Sequence, residues 1–159
     1  MYRKAILPAL LILILCPLGY ADDREDIEAV VHEFSRLEAA QDVMTQAKLM
    51  TPDRLYVSGP GRRTNQALNM EIQQAGIDRN KKRFPNAKVF YDARDLIVRV
   101  YGGDAAIASF YWYANIILSP EAEGPNPQLS PTVVTLFLVK EGGAWKIAAS
   151  HNSLLNPSN

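Results

Sequence analysis

Thr132 to Asn152 read TVVTLFLVKEGGAWKIAASHN, two β-rich runs that meet at Glu141-Gly142-Gly143. Gly-Gly tolerates the positive φ that a tight hairpin turn requires. In the second run strand alternation puts Trp145, Ile147, Ala149 and His151 on one face and Lys146, Ala148, Ser150 and Asn152 on the other. An imidazole at the end of an otherwise apolar face would give a small pocket one polar group. It is the most site-like feature of the chain.

Upstream of this hairpin the same character continues. Ala87 to Tyr101 is rich in Val, Ile, Phe and Tyr, Gly102-Gly103-Asp104 turns the chain, and Ala105 to Leu118 forms a long second strand. One face of that strand carries Ile107, Ser109, Tyr111, Tyr113, Asn115 and Ile117; the other carries Ala108, Phe110, Trp112, Ala114, Ile116 and Leu118. Both faces are apolar or aromatic enough to need cover. Helices can cover one, and a ligand or a partner subunit must cover the other. Ser119 to Pro131, with four prolines and Gly124, reads as a stiff irregular linker between strands.

The first half is helical. Asp22 to Gln41 places Ile27, Val30, Val31, Phe34 and Leu37 at helical spacing, with Asp22, Asp23, Glu25 and Asp26 at the positive end of the dipole. Asp42 caps a short second helix that Pro52 closes, and Arg54 to Ser58 is a brief strand ending at Gly59-Pro60-Gly61. A third helix runs from Thr64 towards Arg83, with Leu68, Ile72 and Ala75 as its apolar stripe, and Pro85 stops it. Helices first and a long antiparallel meander after them predict an α+β domain.

The start of the chain bears on compartment. Arg3 and Lys4 precede the apolar run Ala5 to Leu15, and Gly19-Tyr20-Ala21 supplies small residues for a signal peptidase, so residues 1–21 read as a signal peptide. The run is short for a membrane span. Residues 22–159 then form one domain without a cysteine, since Cys16 leaves with the signal. A periplasmic or secreted protein follows, with no stable membrane association after the signal is removed. Basic and acidic residues number 17 each, and losing Arg3 and Lys4 tips the balance acidic, which gives nucleic acid no electrostatic footing.

Gly103-Asp104-Ala105-Ala106, Thr132-Val133-Val134-Thr135-Leu136, Gly142-Gly143-Ala144-Trp145-Lys146-Ile147 and Ser150-His151-Asn152-Ser153 resemble the nuclear transport factor 2-like superfamily, in particular its SnoaL-like and ketosteroid-isomerase-like branch. The resemblance spans the whole of residues 22–159. It implies a cone-shaped barrel of a curved antiparallel sheet with N-terminal helices, open at one end and paired through its sheet into a homodimer. It leaves function open, because this fold carries isomerases, cyclases, dehydratases and non-catalytic modules. Catalytic branches hold a pocket carboxylate, whereas the last strand here has no acidic residue and offers His151 as the nearest substitute.

The expected site is accordingly an apolar pocket lined by Tyr56, Trp112, Tyr113 and His151, taking a small hydrophobic molecule. His151 is the candidate general acid/base of an isomerase, cyclase or dehydratase reading, since imidazole titrates near neutral pH. An assembly module without ligand is the third possibility. Asp92 and Asp95, three apart in a strand, point to opposite faces and suit surface ion pairs with Arg94 and Arg99 rather than a paired-carboxylate site. His32 falls on the polar side of the first helix. No metal is expected from two histidines without a ligand cluster, and no cofactor, because Gly59-Pro60-Gly61-Arg62-Arg63 lacks a phosphate-loop ending.

Overall fold

The apolar spacing of the first helix survives in three dimensions. The computed structural model describes residues 19–121, 125 and 129–155, so most of the expected signal segment lies outside the described residues. Helix α1, Gly19–Ala39, buries Ile27, Val31, Phe34 and Leu37, each at 5 % exposure or less. Its N-terminal turn is tied down far along the chain: Asp23 Oδ1 accepts hydrogen bonds from Lys140 Nζ at 2.5 Å and Trp145 Nε1 at 3.2 Å.

Gln41, at φ 57°, turns the chain out of α1. Asp42 then caps α2, Val43–Gln46, by accepting from the Thr45 amide at 3.0 Å, and one turn of 3-10 helix follows over Ala47–Leu49. Strand β1, Met50–Ser58, is longer than its apolar stretch suggests and forms a hairpin with the short β2, Gly61–Arg63. Helix α3, Gln66–Arg83, is capped by Asn65, whose side chain accepts from the Leu68 amide at 3.0 Å.

The stripe of α3 differs from expectation. Leu68 and Ile72 are 52 % and 46 % exposed, while Gln66, Asn69 and Met70 turn inwards. The buried amides explain the rotation, because Gln66 Nε2 reaches Met50 Sδ and Asn69 Oδ1 accepts from Arg63 Nη1 at 3.0 Å. Polar pairing with β1 and β2 outweighs the burial of two aliphatic side chains.

The long strands follow as β3, Lys88–Tyr101, β4, Ala105–Ile117, β5, Thr132–Glu141, and β6, Ala144–Leu154. They form an antiparallel meander, and the sheet order is β2-β1-β6-β5-β4-β3. Gly142 and Gly143, at φ 57° and 84°, make the last turn. The architecture is the α+β cone, with one refinement. Strand β1 lies parallel to β6, so the curved sheet is mixed, and it stays open between its β2 and β3 edges instead of closing into a barrel.

The inner face of the meander presents Val98, Ala106, Ala108, Phe110, Trp112, Val134, Leu136, Leu138, Trp145 and Ile147 to α1 and Met70, and these form one continuous core. Burying a side chain of this size contributes about 1.5–3 kcal/mol, so the stripe of α1 is a main anchor of the fold. The outer face stays uncovered in the single chain: Phe90, Ile97, Ile107, Tyr111, Ile117 and Phe137 are all exposed.

Two irregularities break the alternation. Asp95, at φ 54°, accompanies a register shift between Arg94 and Ile97 in β3. In β6, Phe137 pairs with Ala149 while Leu138 pairs with Ile147, which leaves Ala148 as an extra residue. Ser150, at 3 % exposure, therefore shares the inner face with Ile147, and His151 shares the outer face with Thr135.

Candidate functional site

Beyond the C-terminal half of α1 the inner face of the sheet is not filled by side chains. A cavity of about 670 Å³ opens there. Its wall is built by Glu38 of α1, Tyr56 and Ser58 of β1, Tyr91 of β3, Trp112 and Ala114 of β4, Leu129 and Ser130 before β5, and His151 to Leu154 of β6. An opening of this size suits a small organic molecule.

The aromatic part of the wall is a stack. Phe34 lies 5.4 Å from Trp112 between ring centroids, and Tyr91 lies 4.5 Å from Trp112 on the cavity side. Such contacts fix ring orientation beyond simple area burial. Burial raises the Tyr91 hydroxyl above the ordinary phenol range, and negative charge on Glu38 adds to the effect.

Glu38 supplies the only carboxyl among the described lining residues. It follows Phe34 by four positions and Val31 by seven, so it continues the buried stripe of α1 to the cavity floor. Gln46, 1 % exposed, donates from Nε2 to Glu38 Oε2 at 2.8 Å and to the Phe34 carbonyl at 3.0 Å, which holds the carboxyl in place. Burial raises the Glu38 pKa, and the Gln46 hydrogen bond and the Arg54 charge only partly oppose it. A carboxyl held above its usual range stays protonated to higher pH and is a stronger base once ionised.

Behind the β1 wall sits Arg54, 3 % exposed. Its Nη2 donates to Ser150 Oγ at 2.7 Å and its Nη1 approaches Met50 Sδ at 2.7 Å, while Nε has no partner among the described residues. The guanidinium carbon lies 4.9 Å from the centre of the Tyr56 ring. Burial lowers the Arg54 pKa to about 10, with the charges of Tyr56 and Glu38 working in the opposite direction.

Of the residues singled out from sequence, Tyr56 and Trp112 meet in the cavity wall. Tyr113 does not join them. It neighbours Trp112 on β4, and adjacent strand residues face opposite ways, so Tyr113 lies outside under the Arg94 guanidinium at 5.0 Å. His151 borders the cavity at its rim, but its register sets it beside Thr135 and Val57 on the outer face. Its side chain makes no hydrogen bond among the described residues. The cause is the extra residue Ala148, which reverses the alternation for the end of β6. Asp92 pairs with Arg94 at 2.6 Å on the outer face, and His32 is exposed.

Glu38, Arg54, Tyr91 and Gln46 are the site residues that sequence reading passed over. Glu38 had a legible signal, a carboxylate on an apolar helical stripe. Among the described residues no three His, Cys, Asp or Glu gather as metal ligands.

No family model and no curated protein sequence matches the chain. Solved structures do match in shape. The chain is similar to an NTF2-like protein with a cystatin-like fold from Novosphingobium aromaticivorans, at 18 % identity and a TM-score of 0.71, over 89 % of this chain and 87 % of that one. ActVI-ORFA from Streptomyces coelicolor superposes with a TM-score of 0.73 at 10 % identity, over 87 % of this chain and 99 % of that one. A nuclear transport factor 2-like superfamily protein from Salmonella enterica serovar Typhimurium gives a TM-score of 0.68 at 16 % identity, over 88 % and 96 % of the two chains. The chain thus shares the fold of NTF2-like proteins, the fold its final hairpin resembles.

Proposed function

We propose that this protein binds a small, largely apolar molecule in the cavity between α1 and the inner face of the sheet. The observation that carries this reading is the cavity itself: about 670 Å³, walled by Tyr56, Tyr91, Trp112 and Leu129, with one carboxyl. Aromatic walls that also carry polar side chains, here Ser130, Thr132 and Asn152 among them, can both bury and orient a small molecule. Mass spectrometry of molecules retained by the purified full-length protein tests it, together with quenching of Trp112 fluorescence when those molecules are added back. A preparation that retains nothing, and a Trp112 signal indifferent to apolar aromatic probes, would defeat the reading.

A second reading has its own support. Glu38 combines partial burial, a raised pKa and a fixed orientation in a cavity that Tyr56 and Tyr91 also line, which are the attributes of an acid/base group for proton transfer in an isomerase-, cyclase- or dehydratase-type reaction. In this version Glu38 takes the role that the sequence assigned to His151. Glu38→Gln should then abolish turnover of any substrate found while leaving ligand retention intact, and His151→Ala should not.

Two further elements belong to the proposal. The outer sheet face, with Phe90, Ile97, Ile107, Tyr111, Ile117 and Phe137 exposed, is covered by a second copy of the chain, as contiguous apolar surface of this kind favours. The chain is also exported to the periplasm or beyond it after loss of residues 1–21, which the Arg3-Lys4 start and the following apolar run support. Sequencing the N-terminus of extracytoplasmic material tests export; a start at Met1 would contradict it.

A further inference from the structure

A smaller cavity lies one rung further along the sheet. In β3 and β4 the pair Tyr91–Ala114 lines the large cavity, and the next pair on that face, Val89–Ile116, lines a second opening of about 140 Å³. The two share no lining residue among those described. The turn from α3 into β3 builds the other side of this opening. The Phe84 amide donates to the Asn80 carbonyl at 2.8 Å, Pro85 prevents further helix, and Asn86, at φ 63°, returns the Ala87 amide to the Phe84 carbonyl at 3.3 Å. Phe84, Ala87, Val89 and Ile116 are half-buried, so the chain itself covers only part of their apolar surface. Lys81 is the one charged residue of the described lining. It stands in the last turn of α3 with Lys82 and Arg83, and none of the three has a carboxylate partner among the described residues. Asp78, three residues before Lys81, accepts instead from Gln74 Nε2 at 2.9 Å.

We propose that this second cavity binds a compact apolar monocarboxylate, its hydrocarbon part against Phe84, Val89 and Ile116 and its carboxylate at Lys81. An apolar opening of this size holds a group on the scale of a benzene ring. Hydrocarbon placed there leaves water and covers side chains that the fold leaves half bare. A carboxylate at the edge keeps part of its hydration and gains a charge-assisted hydrogen bond from Lys81, whereas a deeply buried one would lose its hydration outright. The carbonyl end of α3 carries about half a negative charge, which opposes an anion, and the three cations of that turn outweigh it. The helix dipole alone accounts for a basic last turn, but not for an apolar opening beside it. Arg83 is engaged elsewhere, with its guanidinium carbon 4.9 Å from the centre of the Phe84 ring, so Lys81 is the residue placed to meet the anion. The proposal does not depend on what the large cavity holds.

The test titrates phenylacetate, neutral phenylacetamide and acetate into isotope-labelled full-length protein and follows backbone amide shifts by NMR, with Trp112 fluorescence as the marker of the large cavity. Phenylacetate should shift the amides of Phe84, Ala87 and Val89 and leave Trp112 unchanged. It should bind about tenfold more tightly than phenylacetamide, the scale of a charge-assisted hydrogen bond. Acetate, which lacks the hydrocarbon, should bind about tenfold more weakly than phenylacetate. Lys81→Met should bring phenylacetate within about twofold of phenylacetamide without changing the affinity for phenylacetamide, and Lys81→Arg should keep the preference. Lys82→Met, outside the lining, should shift either affinity by less than about twofold. Lys81 and Lys82 are both exposed, so these variants should fold as wild type does. Absence of phenylacetate binding, equal affinity for acid and amide, an unchanged preference in Lys81→Met, or shifts at Tyr91 and Trp112 in place of Phe84 and Val89 would each overturn the proposal. So would sedimentation with vesicles of phosphatidylethanolamine and phosphatidylglycerol that Lys82→Met weakens as much as Lys81→Met, which would assign the basic turn to a membrane surface. Trp112 quenching reports on the large cavity separately, so each of these results leaves that reading standing.

Discussion

Gln46 donates one amide to both the Glu38 carboxylate and the Phe34 carbonyl, at 2.8 and 3.0 Å, so a residue of α2 sets the direction of a carboxyl on α1. Because Gln46 is almost wholly buried, the arrangement is held from the protein side and does not wait for a ligand.

Replacing that carboxyl should improve stability at neutral pH. The Glu38 pKa is raised in the folded protein, so above the ordinary value of 4.5 the native state holds its proton more tightly than the unfolded chain does. Stability attributable to Glu38 is full at low pH and falls as pH rises through the raised pKa. Glu38→Gln, which keeps an oxygen for Gln46, should melt no lower than wild type at pH 7, and the difference should close below pH 4.5. Thermal melts across pH check this; a variant less stable at pH 7 alone would contradict it.

The opposite sign applies to Asp23. Hydrogen bonding to Lys140, then to Trp145, holds its carboxyl below the usual 3.8. Its contribution is present above 3.8 and is lost as pH falls through the lowered value. Asp23→Ala should cost about 2 kcal/mol near neutrality, the scale of hydrogen bonds to a charged group. The penalty should shrink in acid, as measured by chemical denaturation at two pH values.

The final turn makes a third prediction. Gly143, at φ 84°, occupies backbone space that L side chains rarely adopt. Gly143→Ala should lower stability by about 1–2 kcal/mol although no atom stands within 4 Å of the added methyl, because the cost is conformational. An unchanged midpoint in denaturant would count against it.

The outer face supplies a fourth. Phe137 is 42 % exposed and lies beside Ile107 in the β4–β5 register, on the uncovered apolar surface. Phe137→Asp should leave the fold intact, within about 0.5 kcal/mol for an exposed position, and convert a dimer to a monomer in light scattering. A wild type that scatters as a monomer would refute the dimer directly.

A fifth concerns His151. Exposed and without a hydrogen bond among the described residues, it should tolerate Ala within about 0.5 kcal/mol and with unchanged tryptophan quenching. Altered quenching would return His151 to the site.

The long elements were legible because their periodicities are strong. The stripe of α1, the Gly-Gly turn and the two-sided strand β4 were all visible as patterns of residue type. What escaped depended on contacts between distant parts. The extra residue in β6 lies in Ala148-Ala149, whose small side chains carry no parity signal, and its result, Ser150 beneath Arg54, pairs β6 with β1. The inward face of α3 was misread for a similar reason, since Gln66 and Asn69 are buried by partners on β1 and β2. Tyr91 and Arg54 look like ordinary surface-strand residues until the sheet curls around them.

The parallel seam between β1 and β6 has a consequence for the order of assembly. Tyr56 stands opposite Ser150, so the wall of the cavity joins the first strand to the last. A chain emerging from its N-terminus holds β1 with only the three-residue β2 beside it until nearly all of it has been made. Closing so long a segment before any reward slows the search for the native topology. Early release, or a clip in the Gly142-Gly143 turn that frees β6, would then leave β1 without its parallel partner, a state that proteases should find before any ligand does.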